Sequence, residues 1–161
     1  MGIYHLAQIC KNGHVINTCA DIHPERNQKY CEKCGALTIT HCENCGAPIR
    51  GYYEVPGVMI ALPTYARPSF CHNCGRPYPW TRSALQAAKE LVATFDRLNE
   101  EERQELERSL DDIIRETPRS KIAELNFRRI MKKVGSEGYK LMREVIVNVI
   151  SEAARRSLFG S

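Results

Sequence analysis

The chain has 161 residues, a formal net charge of +4 and eight cysteines. That length allows one ordinary domain or two small ones. No apolar stretch approaches the ~18 residues of a membrane span, and the first residues lack the charged leader and apolar core of a signal peptide. We therefore expect a cytoplasmic protein without membrane contact, in which thiols stay reduced and a disulfide framework is disfavoured.

The cysteines are confined to the first half of the chain, between Cys10 and Cys74. Three pairs have the form C-x-x-C-G, and an earlier pair, CKNGH, ends in histidine. In such a turn two donors converge on one ion, and the glycine permits the positive φ that closes the turn. The candidate ligand pairs, in chain order, are Cys10 with His14, Cys31 with Cys34, Cys42 with Cys45, and Cys71 with Cys74.

Eight ligands are enough for two tetrahedral Zn²⁺ sites with four nitrogen or sulfur donors each. Sequential pairing predicts one site with Cys10, His14, Cys31 and Cys34, and a second site with Cys42, Cys45, Cys71 and Cys74. A cross-brace, in which the first and third pairs share an ion, is the alternative. The seven residues between the second and third pairs favour sequential pairing, because a RING-type brace has a shorter gap there. Seven thiolates and two divalent ions would together lower the net charge to +1.

One cysteine, Cys19, belongs to no pair. The simplest interpretation is a small, half-buried hydrophobic residue. Two alternatives stay open: Cys19 could replace His14 as the fourth ligand of the first site, or it could act as a redox-sensing thiol.

The order CKNGH…YCEKCG…HCENCGAPIRGYYEVPG…PSFCHNCGRPYPWT resembles the tandem double-zinc-ribbon arrangement. Over residues 7–81 the chain also resembles a bacterial family described only as a domain of unknown function. The resemblance implies a bacterial cytosolic protein with two zinc ribbons, and it agrees with the ligand set above. It implies neither a substrate nor a catalytic residue.

Residues 49–70 are rich in aromatic and β-branched side chains, with glycines and prolines between them, and predict short strands joined by turns. Tyrosines here and in the following segment lie close to Arg50, Arg67 and Arg76. Aromatic rings interleaved with arginine can stack on single-stranded bases. Alternatively, the rings pack over the metal-binding turns, because a small ribbon has little other core.

From Ser83 onward the apolar period changes to 3.6 residues and predicts four helices. Ser83 with Gln86, and Asn99 with Glu102, have the spacing of capping boxes that begin the first two helices. The apolar residues of the second helix are Leu106, Leu110, Ile113 and Ile114. Those of the third, which starts near Thr117-Pro118 and ends at Gly135, are Ile122, Leu125, Ile130, Met131 and Val134. The fourth helix is predicted from about Glu137 to Leu158.

The predicted fold class is therefore a small zinc-stabilised β domain of two zinc ribbons, residues 1–80, followed by an all-α helical bundle, residues 81–161. Charge divides the helical part: residues 83–117 carry a net charge of −5 and residues 118–161 a net charge of +6. A basic edge on the third helix either meets phosphates or faces the acidic second helix. It consists of Arg128, Arg129, Lys132 and Lys133.

These patterns favour a non-enzymatic interaction or adaptor protein with two structural zinc ions. No carboxylate cluster, Ser/His pair or phosphate-binding glycine loop indicates catalysis. A protein partner is favoured, and the helical bundle could also self-associate. The alternatives are a nucleic-acid-binding zinc-ribbon protein, or an accessory subunit of a nucleic-acid enzyme, that uses the arginines and lysines named above. A zinc-thiolate redox sensor is the third hypothesis.

Overall fold

The computed structural model describes residues 1–58 and 64–160. The chain divides into two compact units, Met1–Thr81 and Arg82–Ser161. All five described strands lie in the first unit, and helices make up most of the second.

The first unit contains two small antiparallel sheets. Its strands are β1 (Ile3–Leu6), β2 (Gln8–Cys10), β3 (Val15–Asn17), β4 (Thr38–Ile39) and β5 (Arg50–Glu54). β1 pairs with β5, with Tyr4 opposite Tyr53, whereas β2 is the central strand of the order β3-β2-β4. β5 agrees with the strands predicted for residues 49–70, of which residues 59–63 lie outside the described part of the chain.

The core of the first unit is small and includes sulfur. Ile9 and Ile49 are fully buried and pack with Tyr78 and Trp80. Two cysteines of the C-x-x-C-G turns belong to the same buried cluster, Cys42 and Cys71. Because so few apolar side chains are available, any bond that holds the Cys42 and Cys71 sulfurs in place also stabilises the core.

A buried histidine fastens the β1–β5 sheet to the loop after β3. His5 is 5% exposed, and its Nδ1 lies 3.0 Å from Asp21 Oδ2 and its Nε2 2.8 Å from Glu54 Oε2. The hydrogen bonds with Asp21 and Glu54 raise the pKa of His5 above its usual value, although burial opposes them. Because its two ring nitrogens contact carboxylates on two other segments, His5 joins three segments of the first unit.

Five α-helices follow among the described residues, where the sequence predicted four. They are α1 (Pro79–Ala93), α2 (Glu100–Arg115), α3 (Ser120–Val134), α4 (Ser136–Ile146) and α5 (Glu152–Phe159). Within the described residues, no helix has both the length and the apolar character to cross a membrane. The second unit buries apolar side chains on α2, α3, α4 and α5 around a core of its own.

The two predicted capping boxes have different outcomes. At α2 the prediction is confirmed: Asn99 Oδ1 accepts from the Glu102 backbone N–H at 2.9 Å, and Glu102 Oε2 accepts from the Asn99 backbone N–H at 3.1 Å. At α1 it is wrong, because the helix begins at Pro79 and Ser83 lies inside it. Proline suits the first helical turn, where its missing N–H is not needed.

The predicted fourth helix is interrupted at residues 147–151. α4 ends at Ile146, and α5 begins after Ser151, whose Oγ accepts from the Ala154 backbone N–H at 3.2 Å. The interruption contains three β-branched residues and an asparagine, which are poor helix formers. The capping serine then provides a favourable restart. The sequence analysis predicted a single helix because the apolar repeat continues through residues 147–151.

The buried faces of α2 and α3 were predicted with different success. All four predicted apolar residues of α2 are buried, as are Ile130 and Met131 on α3. Ile122 and Leu125 were predicted to face the core, but they are 52% and 62% exposed. α3 carries two competing stripes, and the buried one contains Phe127, whose ring meets that of Phe159 edge-on at 6.1 Å. The larger ring determines which stripe faces inward.

Candidate metal centres

The three C-x-x-C-G turns are built in the same way. The Cys31 backbone N–H donates to the Ala36 carbonyl at 2.8 Å, and the Gly35 N–H donates back to the Cys31 carbonyl at 2.7 Å. Matching pairs of bonds close the turns at residues 42–47 and 71–76. The glycines have φ angles of 72° at Gly35, 75° at Gly46 and 71° at Gly75. An added Cβ would meet nothing within 4 Å at any of them, so glycine is needed for the backbone angle rather than for space.

The first turn, between β2 and β3, has one more residue and carries the histidine. The Cys10 N–H donates to the His14 carbonyl at 2.9 Å, and the His14 N–H donates to Cys10 Sγ at 3.2 Å. Gly13 has a φ of 93°, and a Cβ there would also collide with Arg67 and lie 2.9 Å from Trp80 Cβ. Gly13 is therefore constrained both by its backbone angle and by its neighbours.

The four turns bring all eight predicted ligands together in two groups, whose donor atoms lie within 4.8 Å of one another. The first group is Cys10, His14, Cys31 and Cys34, and the second is Cys42, Cys45, Cys71 and Cys74. The first pair thus joins the second, and the third joins the fourth, in sequential order. Each group could hold a metal ion such as zinc.

The donor distances fit a tetrahedral zinc ion. Sulfurs at ~2.3 Å from a common centre stand ~3.8 Å apart on a tetrahedron, and a sulfur and an imidazole nitrogen ~3.5 Å apart. The Sγ–Sγ distances are 3.7 Å for Cys10–Cys34, 3.8 Å for Cys42–Cys74 and 3.6 Å for Cys45–Cys71. His14 Nδ1 lies 3.5 Å from Cys10 Sγ and 3.6 Å from Cys31 Sγ. A disulfide would need ~2.05 Å, so the sulfurs are arranged for a shared ion.

The pKa values of the ligand thiols are shifted in both directions, upward by burial and downward by hydrogen bonds from backbone N–H groups. The Ala36 backbone N–H lowers the pKa of the exposed Cys34 to about 6, whereas burial raises the pKa of Cys42 to about 11. Without a cation the buried thiol would therefore keep its proton at neutral pH. A divalent ion would displace that proton, and its positive charge would offset the repulsion between closely spaced thiolates.

Buried and partly buried side chains pack against the metal-binding turns. The Arg67 guanidinium donates to the Gly13 carbonyl and lies 5.5 Å from the centroid of the Trp80 ring. Tyr78 is 2% exposed, and its ring stacks on that of Trp80 at 4.8 Å. Burial, together with the neighbouring Cys71, raises the pKa of Tyr78 well above its usual value. This packing matches the alternative in which aromatic rings cover the metal-binding turns. The sequence contains these side chains, but no local pattern predicts which of them stack on one another.

The remaining cysteine lies outside both groups. Cys19 is partly buried, with its Sγ 3.9 Å from Thr18 Oγ1. The structure therefore places His14, rather than Cys19, at the fourth position of the first group.

The basic edge on α3 mostly contacts the protein itself. Arg129 Nη2 lies 2.9 Å from Glu105 Oε2, and Lys133 forms an ion pair with Glu102, so both face the acidic α2. Arg128 donates to the carbonyl and hydroxyl of Ser157. Two further arginines predicted to meet nucleic acid lie in the first unit, and both are exposed: Arg50 and Arg76. The Arg50 guanidinium lies 4.6 Å from the centroid of the Tyr4 ring.

Substituting His14 and Cys19 separately shows which of them is the fourth ligand of the first group. We expect His14→Ala to weaken zinc binding at the first group, because three sulfurs remain for four coordination positions, while Cys19→Ser keeps both ions. Competition with a chromogenic chelator measures the two affinities. Weakening by Cys19→Ser alone would transfer the ligand role to Cys19.

Among the described residues, the fold and these donor sets define a class of protein with two small antiparallel sheets, five α-helices and two candidate four-ligand metal centres. The family model DUF2321, described as "Uncharacterized protein conserved in bacteria", matches residues 3–158. The match spans nearly the whole chain, and the protein belongs to this family. Searches of curated proteins and of solved structures found no match.

Proposed function

We propose that this protein is a non-enzymatic zinc-binding adaptor, in which two zinc ribbons present an interaction surface to a protein partner. The observation that carries the proposal is the pair of complete four-ligand donor sets. Four protein donors fill a tetrahedral shell and leave no position for a reacting water, and closed zinc sites of this kind are structural. The helical bundle would provide self-association or a second contact.

Zinc would serve here to hold the recognition surface in one shape. The first unit has a small apolar core that includes Cys42 and Cys71. When a metal site does not exist in the unfolded chain, the binding free energy of the ion contributes directly to folding. Loops between the metal-binding turns would then be rigid enough to lose little entropy on binding a partner.

A nucleic-acid partner is less well supported. Arg128, Arg129 and Lys133 already donate to groups within the helical unit, and Arg67 contacts Gly13 in the first. Two zinc ions with seven thiolates would also reduce the formal net charge from +4 to +1. Four of the seven cations predicted to meet nucleic acid therefore already have partners within the protein.

Salt dependence tests this preference directly. We expect weak binding of zinc-loaded protein to duplex DNA or single-stranded RNA at physiological salt. A phosphate-binding protein would lose affinity linearly with log salt, with a slope of ~0.9 per contact on duplex DNA. Sub-micromolar, salt-sensitive binding that is lost in Arg128→Glu/Lys132→Glu would make this a nucleic-acid module.

Identification of co-purifying molecules tests the adaptor role itself. With the tagged chain expressed in its native host, we expect one protein to be recovered in stoichiometric amount, and to be lost with Cys42→Ser while Cys19→Ser retains it. Recovery of nucleic acid, or of the same proteins with both variants, would contradict the proposal.

The exposed thiols of Cys34 and Cys45 favour a second candidate, a zinc-thiolate redox sensor. Hydrogen peroxide would oxidise two thiolates to a disulfide, be reduced to water, and release zinc. A sensor would release zinc with roughly one peroxide per site and rebind it after reduction, whereas a structural site would need a large excess.

A further inference from the structure

A tyrosine-lined groove crosses the first unit on its β1–β5 sheet. It is an open groove with a volume of about 390 Å³, lined by this sheet and by Thr64, Tyr65, Ala66 and Pro68. We call it the tyrosine groove, and its principal side chains are Tyr4, Arg50, Tyr52, Tyr53 and Tyr65. Tyr4 and Tyr53 are 53% and 41% exposed, which is much aromatic surface for one small patch.

The walls of the groove are held in place before any partner binds. Tyr4 and Tyr53 lie opposite each other in the sheet, with ring centroids 4.6 Å apart and planes inclined by 46°. The Arg50 guanidinium lies 4.6 Å from the Tyr4 centroid. The Tyr65 hydroxyl donates to the Arg50 carbonyl at 2.6 Å and ties the opposite wall to β5. Such preorganisation lowers the entropy cost of binding.

We propose that the tyrosine groove docks a proline-rich segment of a protein partner, in the polyproline II conformation, with an acidic residue beside it. This inference rests on the proposed adaptor function and names the chemistry of its partner. Aromatic-lined grooves suit polyproline II segments, whose extended shape is already fixed. Their carbonyls have no internal hydrogen bonds and remain free to accept from tyrosine hydroxyls or from a guanidinium.

Charge favours a peptide over a nucleic acid at this groove. Among the described residues that line it, Arg50 is the only charged one. The nearby Glu54, at the end of β5, is already engaged by His5. A polynucleotide would find a single cation for its phosphates, whereas a peptide needs only one carboxylate to match Arg50.

The spacing of Arg50 and Tyr53 also fits one polyproline turn. A register shift in β5 between these two residues lets both lie beside Tyr4, and three residues of strand set an upper limit of ~10 Å on their separation. A polyproline II helix repeats every three residues and rises ~9 Å in that distance. Prolines at positions i and i+3 would therefore reach both ends of the groove, with the acidic residue beside the proline at Arg50.

Fluorescence anisotropy with full-length, zinc-loaded protein tests the proposal. The probes are a labelled P-x-x-P peptide with an aspartate flank, the same peptide with a lysine flank, a scrambled peptide without the i, i+3 spacing, and oligo(dT). We expect the aspartate-flanked peptide to bind best. Tyr53→Ala should weaken its binding at least tenfold, whereas Tyr30→Ala, at a 56% exposed tyrosine outside the groove, should not.

Arg50→Glu keeps the aromatic walls and should reverse the preference between the aspartate and lysine flanks, an effect that partial unfolding would not produce. Zinc content measured on each sample separates the two levels of the argument. Two bound ions without peptide binding, equal binding of the scrambled peptide, or preferred binding of oligo(dT) would overturn the docking proposal alone. A wild-type sample without two ions would overturn the adaptor function on which it rests.

Discussion

Replacing Cys42 with serine is expected to lower the zinc content from two ions per chain towards one and to disorder the core of the first unit. Serine is a poor zinc ligand, and Cys42 belongs to the buried cluster that contains Trp80. Structural zinc contributes ~10–16 kcal/mol in small metal-dependent domains, as much as the whole ~5–15 kcal/mol of a typical folding free energy. This substitution should therefore have a larger effect than any single apolar truncation.

Elemental analysis of desalted protein gives the ion count, and fluorescence of Trp80, the only tryptophan in the chain, reports on the core. Cys19→Ser is the matched control, since it removes a thiol that lies outside both groups. A Cys42→Ser protein that keeps two ions and the wild-type emission spectrum would show that Cys42 is not a zinc ligand.

The helical unit is expected to keep its secondary structure when zinc is removed. A chain shortened to residues 82–161, the second compact unit, should give the same helical circular dichroism with and without EDTA. The physical reason is a core that contains no ligand: Leu106, Leu110, Phe127, Ile130, Met142 and Ile146 are at most 1% exposed. The complementary chain, residues 1–81, which keeps Trp80 in the core of the first unit, should lose its tertiary signal in EDTA.

Far-ultraviolet circular dichroism of residues 82–161 and near-ultraviolet circular dichroism of residues 1–81 provide the comparison. A cooperative thermal transition that survives EDTA in residues 82–161 is the expected result. A helical signal that disappears on chelation would mean that folding of the second unit depends on metal, which would contradict this division of labour.

Local chemistry determined how much of the fold could be predicted. The Asn99–Glu102 cap and the buried face of α2 followed from spacing alone, because their partners lie within one or two turns of helix. The donor turns followed for the same reason, since each pair lies within four residues along the chain. Which two pairs share an ion depends on contacts between residues far apart in the chain. The spacing therefore only favoured sequential pairing over a cross-brace.

Features that depend on distant partners were missed. The exposure of Ile122 and Leu125 is decided by Phe127, which packs on Phe159 from a helix 32 residues away. The buried Glu124, 6% exposed, is satisfied by the Ser157 hydroxyl at 2.6 Å, a pairing that no local pattern signals. The approach of Arg67 to Gly13 likewise joins residues 54 apart in the chain.

X-ray absorption at the zinc edge of the freshly purified wild-type protein tests the central claim most directly. Two ions per chain that share seven sulfurs and one nitrogen should give an average of about 3.5 sulfur ligands at ~2.3 Å and 0.5 nitrogen at ~2.0–2.1 Å per zinc. That result would establish two closed sites with the predicted ligands. One ion per chain, or a full oxygen ligand per zinc, would contradict the account.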